Sequence, residues 1–382
     1  MAWLSDLILR AKTTKKQLFT PSPRTTVIPG LSEKEAANLP YPVNALPGGR
    51  DVATPYGSIR VYEWGPEDGE KILFVHGITT PTVLLGDLGH DLVDRGYRVM
   101  LFDLFGRGYS DAPTDLDYDV RLYVSQILLV LASSKLPWST FHLVGYSLGG
   151  GLCASFATYF PHLLSSLTVI AGCGFIRPHH VGWQSRFLYS SGLLPESLVK
   201  VLVQQRIRPS SEEHPPTVGG GDILSAETKK SATNVDHDCN GGDGFDSAVI
   251  SKSRPGVTVS SVVGWQVDHH EGFVHAFLST MRNAPIYAPQ ENWETLAAML
   301  EARRRSKHVE EAEPTQGLTA GKVLFVLAED DSVVVKDETI QDARRVLGLD
   351  GADFAVLPGG HEVPITGTSM VADAMERFWR KY

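Results

Sequence analysis

The sequence predicts an α/β fold built on a mostly parallel sheet, and three observations carry that expectation. Short continuous apolar runs of four to seven residues recur along the chain, as strands buried on both faces require. Longer stretches of helical or loop character separate them, which is how parallel strands are connected. Of 382 residues, 42% are hydrophobic and 21% charged, enough apolar material for a sizeable core.

The first 48 residues read as an N-terminal extension. Its start has a short apolar face at helical spacing (Trp3, Leu4, Leu7, Ile8), yet it holds Asp6 and Arg10 and lacks a small-residue cleavage site. It is not read as a signal peptide. With Lys12, Lys15 and Lys16 close by, it packs on its own protein, frays, or makes weak contact with a membrane surface. No apolar run reaches the length that spans a bilayer. From Gly49, the segment GRDVATPYGSIRVYEWG reads as a hairpin, because β-favouring residues flank Pro55-Tyr56-Gly57. Apolar strands are then expected at Ile72 to Val75, Arg98 to Phe102, Phe141 to Gly145, Leu167 to Ile170, Val323 to Leu327 and Phe354 to Leu357.

Between Pro178 and Gly321 the rhythm breaks over a stretch too long to join neighbouring strands. The expected organisation is a core of 49–177 and 321–382 with an insertion at 178–320. Within the insertion, Gly182 to Ile207 is helix-like around Phe187, Leu193, Leu194, Leu198 and Leu202. Residues 208–260 lose the pattern amid Gly, Ser, Asp, Lys and Pro and are expected to form a flexible loop. A second helix carries Phe273, Val274, Phe277, Leu278 and Met281 and stops at Pro285; a third runs from Asn292 to about Arg305. The stripe of the second helix either lines a pocket or packs the insertion on itself.

Charge and cysteine usage narrow the function classes. Lys plus Arg number 35 and Asp plus Glu 44, so the net charge of −9 offers no field for phosphate backbones, and no nucleic-acid partner is expected. The three widely spaced cysteines, Cys153, Cys173 and Cys239, form no zinc pattern and suit a reducing compartment, hence a cytoplasmic location. Asp268-His269-His270-Glu271 has the letters of a metal site, but Asp268 and Glu271 have N-cap and N3 spacing for the following helix, so a capping box is expected and no metal.

The chemistry concentrates at Phe141-His-Leu-Val-Gly-Tyr-Ser-Leu-Gly-Gly. It places Ser147 in a G-x-S-x-G pattern between an apolar strand and a helical run. Gly145 and Gly149 permit a sharp turn that exposes the serine hydroxyl, making Ser147 the candidate nucleophile. At the end of an earlier strand, Phe74-Val-His-Gly-Ile opens a loop in which the N–H of Ile78 joins that of Leu148 to receive a developing oxyanion. His76 and Gly77 shape that loop, and His76 is not expected to be the base. His361 is: Leu357-Pro-Gly-Gly-His361 follows an apolar strand, and its glycines let the imidazole reach a shared site. The orienting acid belongs between serine and histidine in the chain. Val323-Leu-Phe-Val-Leu-Ala-Glu-Asp-Asp331 ends in three carboxylates, of which Asp331 is preferred and Asp330 is the alternative.

Together, His76-Gly77, Asp103-Leu-Phe-Gly-Arg-Gly-Tyr-Ser110, GYSLGG, Asp331 and His361 resemble the α/β-hydrolase fold superfamily, specifically its lipase- and esterase-like members with a helical cap. The resemblance spans about 50–177 and 321–382. It implies an eight-stranded, mostly parallel sheet with helices on both faces, a cap inserted after the sixth strand, and a structural rather than phosphate-binding role for 103–110. Two features depart from the family pattern: Ala328 stands where a glycine is common before the acid, and the insertion is long. Haloalkane dehalogenases and epoxide hydrolases carry aspartate at the nucleophile position, so Ser147 argues against both. The expectation is a serine hydrolase needing no cofactor, acting through an acyl-enzyme on a small to medium, mostly apolar ester, lactone or thioester. The same triad also serves carbon–carbon bond hydrolysis or lysis, and a receptor-like module that captures a small ligand is the alternative outside enzymes. Oligomeric state is not legible.

Overall fold

Pairing of the apolar runs builds one eight-stranded sheet, seen in a computed structural model that describes residues 18–180, 182, 188–190, 195–208, 242–287, 291–306 and 317–382. The strands are β1 (Gly49–Thr54), β2 (Gly57–Trp64), β3 (Lys71–Val75), β4 (Arg98–Phe102), β5 (Phe141–Tyr146), β6 (Leu164–Ile170), β7 (Val323–Ala328) and β8 (Ala352–Leu357). Their spatial order is β8-β7-β6-β5-β3-β4-β2-β1. β1, β2 and β4 pair antiparallel and every other neighbour is parallel. The central strand β5 is buried along its whole length, whereas edge strand β1 alternates exposed and half-buried positions and carries Arg50 and Asp51. A charged edge resists pairing with other chains.

The connecting helices are α1 (Gly86–Asp94), α2 (Val120–Ala132), α3 (Leu148–Tyr159), α4 (Glu196–Ile207), α5 (Val259–His269), α6 (Phe273–Asn283), α7 (Glu291–Ser306), α8 (Lys336–Leu347) and α9 (Thr368–Lys381). α1 pairs with α9, while α2, α3, α7 and α8 form a contiguous layer. Asp119 starts α2 by accepting the N–H groups of Arg121 and Leu122. β6 ends at Ile170 and β7 starts at Val323, so α4 to α7 all lie in the connection between them. α7 lies over the core sheet: its Trp293 ring sits 4.6 Å from Phe175 and 5.7 Å from Phe325 of β7. A division that assigns all of 178–320 to a cap therefore includes one helix that covers the sheet.

From residue 18 the N-terminal extension is woven into the fold. Phe19–Thr20 pairs antiparallel with Ala112–Pro113, and Tyr41 is fully buried with its hydroxyl on Asp103. The apolar face at Trp3 to Ile8 lies outside the described residues. No helix among the described residues is long and apolar enough to cross a membrane.

Three local expectations need correction. The flexible loop expected over 208–260 is structured in its described part, 242–260: a helical turn spans Gly242–Ser247, Val249 bridges Thr258, and Thr258 caps α5 through Ser261. Glycine and serine content suggested disorder, but buried Phe245, Ala248 and Ile250 fasten the segment. Residues 209–241, with Gly219 to Gly221, lie outside the described residues, as do Phe187, Leu193 and Leu194. Of the helix-like stretch Gly182 to Ile207, α4 takes Glu196–Ile207; its buried face is Val199, Val203 and Ile207, and Leu198 and Leu202 point outward. Finally, Asp268 and Glu271 make no capping box. Asp268 belongs to the last turn of α5 and pairs with Arg208, and α6 starts from Gly272 with no side-chain cap.

Candidate active site

Backbone geometry at the β5–α3 junction presents Ser147. Its φ of 52° and ψ of −120° lie where residues with a Cβ rarely settle. The turn is held from several directions: the Ser147 N–H donates to Ile170 O at 3.0 Å, and its carbonyl accepts from Gly150 N at 2.9 Å and Cys173 N at 2.8 Å. Gly145 and Gly149 make the approach possible. A Cβ on Gly145 would stand 2.2 Å from Gly149 O, and one on Gly149 would stand 2.0 Å from Val75 O.

Two loops bring the other side chains to this hydroxyl. Asp331 follows β7 and His361 follows β8, parallel neighbours in register, so both loops leave the same end of the sheet. His361 Nε2 is 3.1 Å from Ser147 Oγ, and His361 Nδ1 donates to Asp331 Oδ2 at 2.9 Å. The other carboxylate oxygen accepts the N–H groups of Val333 at 2.8 Å and Val334 at 2.9 Å. That arrangement fixes the Nδ1–H tautomer and leaves the Nε2 lone pair facing the hydroxyl, the order needed to draw its proton. Asp330 is exposed and its N–H goes to Gly359 O, so its carboxylate takes no part in this chain. Two aromatic residues frame the imidazole: Tyr146 Oη donates to His361 O at 2.9 Å, and the Phe245 ring stands edge-on at 5.6 Å. All three members are nearly buried, with Ser147 6% exposed.

The loop after β3 lies against the elbow, where a Cβ on Gly77 would be 3.3 Å from Ser147 Cβ. His76 is fully buried and does not reach the hydroxyl. Its Nδ1–H donates to Gly77 O at 2.8 Å, and Nε2 accepts the Leu104 N–H at 2.8 Å. Because a trans peptide points its C=O and N–H in opposite directions, holding the Gly77 carbonyl orients the Ile78 N–H. Leu148 N–H is the first of α3 and has no intrahelical acceptor. Among the described residues, neither the Ile78 nor the Leu148 N–H is engaged.

The segment 103–110 is the scaffold beneath this loop. Asp103 accepts the N–H groups of Thr82 and Tyr109 and the hydroxyl of Tyr41, all at 2.9 Å for the nearer oxygen. Burial pushes its acid up to about 6 despite those donors. Sequence reasoning treated the segment as structural but missed its Arg107, and it missed Gln266 as well. Both are fully buried polar side chains that grip the loop. Gln266, a lone amide in the apolar run of α5, was the available signal. Within Asp268-His269-His270-Glu271, the first three side chains diverge. His269 Nδ1 bonds Trp265 O, and His270 bonds Ser110 O through Nε2 and Gly272 N through Nδ1, while Asp268 holds Arg208. Cys153 and Cys173 are buried and form no disulfide, with burial raising the Cys153 thiol, and Cys239 lies outside the described residues.

Burial also sets a pH dependence of stability. It depresses His76 to about 3, and His142 and His270 each to about 4. These groups favour the folded state above their ordinary value near 6.5, and that contribution fades as pH falls towards 4, because the unfolded chain then binds more protons. Asp103, raised to about 6, opposes them between about 6 and 3.8 but is one group against three. The urea midpoint is therefore expected to drop between pH 7.5 and pH 4.5. An unchanged midpoint would contradict neutral buried imidazoles.

The sheet order, the strained serine between β5 and α3, and the histidine loop after β8 define the α/β-hydrolase fold. The chain has this fold, and a family model described as "alpha/beta hydrolase fold" matches residues 71–197. It is similar to a serine hydrolase-like protein of Danio rerio, 28% identical over 126 residues, which cover 33% of this chain and 38% of that one. The chain thus spans little more than a third of the length of the curated relatives it matches. Among solved structures, an esterase from a Rhodococcus species superposes with a TM-score of 0.54 at 15% identity, covering 87% of this chain and 98% of that one. A bacterial membrane phospholipase A superposes with a TM-score of 0.55 at 16% identity, covering 100% and 99%. Identities this low establish a shared fold.

Proposed function

We propose that the protein is a serine esterase-type hydrolase in which Ser147 attacks a carbonyl carbon, His361 takes the hydroxyl proton and delivers it to the leaving group, and Asp331 holds His361. The observation that carries this reading is the unbroken chain Ser147 Oγ, His361 Nε2, His361 Nδ1, Asp331 Oδ2, with steps of 3.1 and 2.9 Å. The free N–H groups of Ile78 and Leu148 receive the negative charge that develops on the carbonyl oxygen. An acyl-enzyme forms on Ser147 Oγ as the leaving group departs; water, deprotonated by His361, then adds to the acyl carbon and Ser147 recovers its proton. The three side chains, the two backbone N–H groups and water suffice for these steps.

A carboxylic ester, lactone or thioester of small to medium size and mostly apolar character suits the site best. Phe245 stands beside the imidazole, and the buried faces of α5 and α6 are largely aliphatic and aromatic. In this reading α4, α5 and α6 form the cap, and α7 belongs with the core. Buried Cys153 and Cys173, which form no disulfide, support a reducing compartment such as the cytoplasm.

The test is labelling by a fluorophosphonate probe together with a panel of p-nitrophenyl esters of increasing acyl length. Wild type is expected to label at Ser147 and to favour short to medium acyl chains, and Ser147→Ala to do neither. A wild-type protein that is folded, unlabelled and yet melts at a higher temperature with small apolar ligands would favour a binding module instead.

A further inference from the structure

Arg107 is a fully buried guanidinium whose hydrogen bonds all end on neutral oxygens. Nε donates to Ile78 O at 3.0 Å; Nη1 donates to Phe105 O at 3.0 Å and to Tyr123 Oη at 3.1 Å; Nη2 donates to Thr280 Oγ1 at 3.0 Å. Among the described residues no carboxylate pairs with it. An unmatched buried cation is strongly unfavourable unless its surroundings make use of it. The Tyr118 ring, its centroid 6.0 Å from Cζ, gives partial compensation, and the reaction offers a further use, because a carbonyl oxygen becomes negative only while it is under way.

Three successive carbonyls of the loop after β3 are each held by a buried side chain. His76 takes Gly77 O at 2.8 Å, Arg107 takes Ile78 O at 3.0 Å, and Gln266 Nε2 takes Thr79 O at 3.0 Å. Ile78 therefore has both flanking peptide planes fixed, one by His76 and the other by Arg107. Gln266 also accepts the Gly108 N–H at 2.7 Å, so α5 locks the Arg107 turn against the same loop. Thr280 on α6 receives Arg107 directly and shares a 2.7 Å hydrogen bond with Tyr123. Donors aimed in advance at a developing charge avoid reorganisation during the reaction.

We propose that Arg107 is a positioning residue for the oxyanion: it fixes the Ile78 backbone through Ile78 O and leaves in the loop a buried positive charge that the tetrahedral anion balances. This rests on Ser147 acting as the nucleophile. The neutral ground state gains little from the charge, so Arg107 acts on kcat more than on KM. Lysine keeps the charge but loses the planar fork that grips four oxygens.

The experiment compares wild type, Arg107→Lys and Arg107→Met. It reads kcat per probe-labelled site and KM for the best p-nitrophenyl ester. It also reads the affinity for phenylboronic acid, whose boron accepts the Ser147 oxygen to give a tetrahedral anion as the hydroxyl proton passes to His361 Nε2. Arg107→Met is expected to lower kcat and boronate affinity about tenfold or more, with KM within about threefold and Arg107→Lys between Met and wild type. A residue that only staples the cap would lower the melting temperature and leave kcat per labelled site and boronate affinity unchanged, and that result overturns the proposal. If both variants lose the native circular dichroism, the double variant Tyr123→Phe, Thr280→Val carries the test, since it removes two of the four oxygens and keeps Arg107. The same split supports the proposal, and wild-type boronate affinity overturns it. Wild type that fails to label removes the hydrolase reading itself, whereas a labelled wild type with unaffected variants removes only the role of Arg107.

Discussion

Alanine at Ser147 is expected to lower ester turnover by about 10⁴-fold or more, and His361→Ala by a similar factor. The hydroxyl is a weak nucleophile until a base takes its proton, and that base must lie within hydrogen-bond reach, as His361 Nε2 does at 3.1 Å. Each group has no function without the other, so the losses do not multiply. The double variant Ser147→Ala, His361→Ala is expected to turn over about as slowly as either single one. Asp331→Asn should cost roughly 10⁴-fold as well. An amide in place of the carboxylate can turn its NH₂ towards Nδ1, which then must accept, and the other tautomer puts a proton on Nε2 where a lone pair is needed. Its stability should fall as well, since Asp331 Oδ1 also gathers the Val333 and Val334 N–H groups. Turnover is compared at matched circular dichroism and melting temperature, so a loss is chemical and not a loss of folded protein. Wild-type turnover in Ser147→Ala, or multiplicative losses in the double variant, would remove the relay from the mechanism.

The strands were legible in the sequence because a parallel strand covered on both faces must be apolar at every position, and a run such as Phe141 to Tyr146 advertises that condition in its residues. Ser147 was legible for a related reason: a turn this tight needs small residues at fixed offsets, and Gly145 and Gly149 stand at them. Contacts between distant segments were harder. Gln266 reaches Thr79 across 187 positions and Arg107 reaches Thr280 across 173, and neither spacing leaves a local pattern. The insertion misled for a different reason. Over 242–260 the composition is that of a loop, yet a few buried residues such as Phe245 and Ile250 suffice to order it once the core supplies a surface. At Asp268-x-x-Glu271 a capping pattern existed, but α5 extends through His269 and claimed the aspartate before α6 began. On α4, two interleaved apolar rows, Leu198 with Leu202 and Val199 with Val203, offer either face, and only tertiary packing selects the second.

Alanine at Gly149 should damage the protein out of proportion to the single carbon it adds. The new Cβ would lie 2.0 Å from Val75 O and 2.9 Å from His76 O, and both are backbone atoms that cannot rotate aside. Relief requires the first turn of α3 to move away from the end of β3, which separates the Leu148 N–H from the Ile78 N–H and draws Ser147 out of line with His361. The expected loss is about 3 kcal/mol or more, at the upper end of overpacking effects because the obstacle is main chain rather than a side chain. Gly256→Ala is the control: nothing lies within 4 Å of its Cβ position, and its stability should change by less than about 0.5 kcal/mol. Urea midpoints of the two variants give the stability difference, and the fluorophosphonate labelling rate of whatever Gly149→Ala remains folded reads the elbow itself. Labelling should slow even at low temperature where the fold persists, since attack and oxyanion capture share the displaced turn. If Gly149→Ala instead unfolds and labels like wild type, the strand and helix cannot approach as closely as described, and the alignment of Ser147 with its two backbone donors goes with that approach.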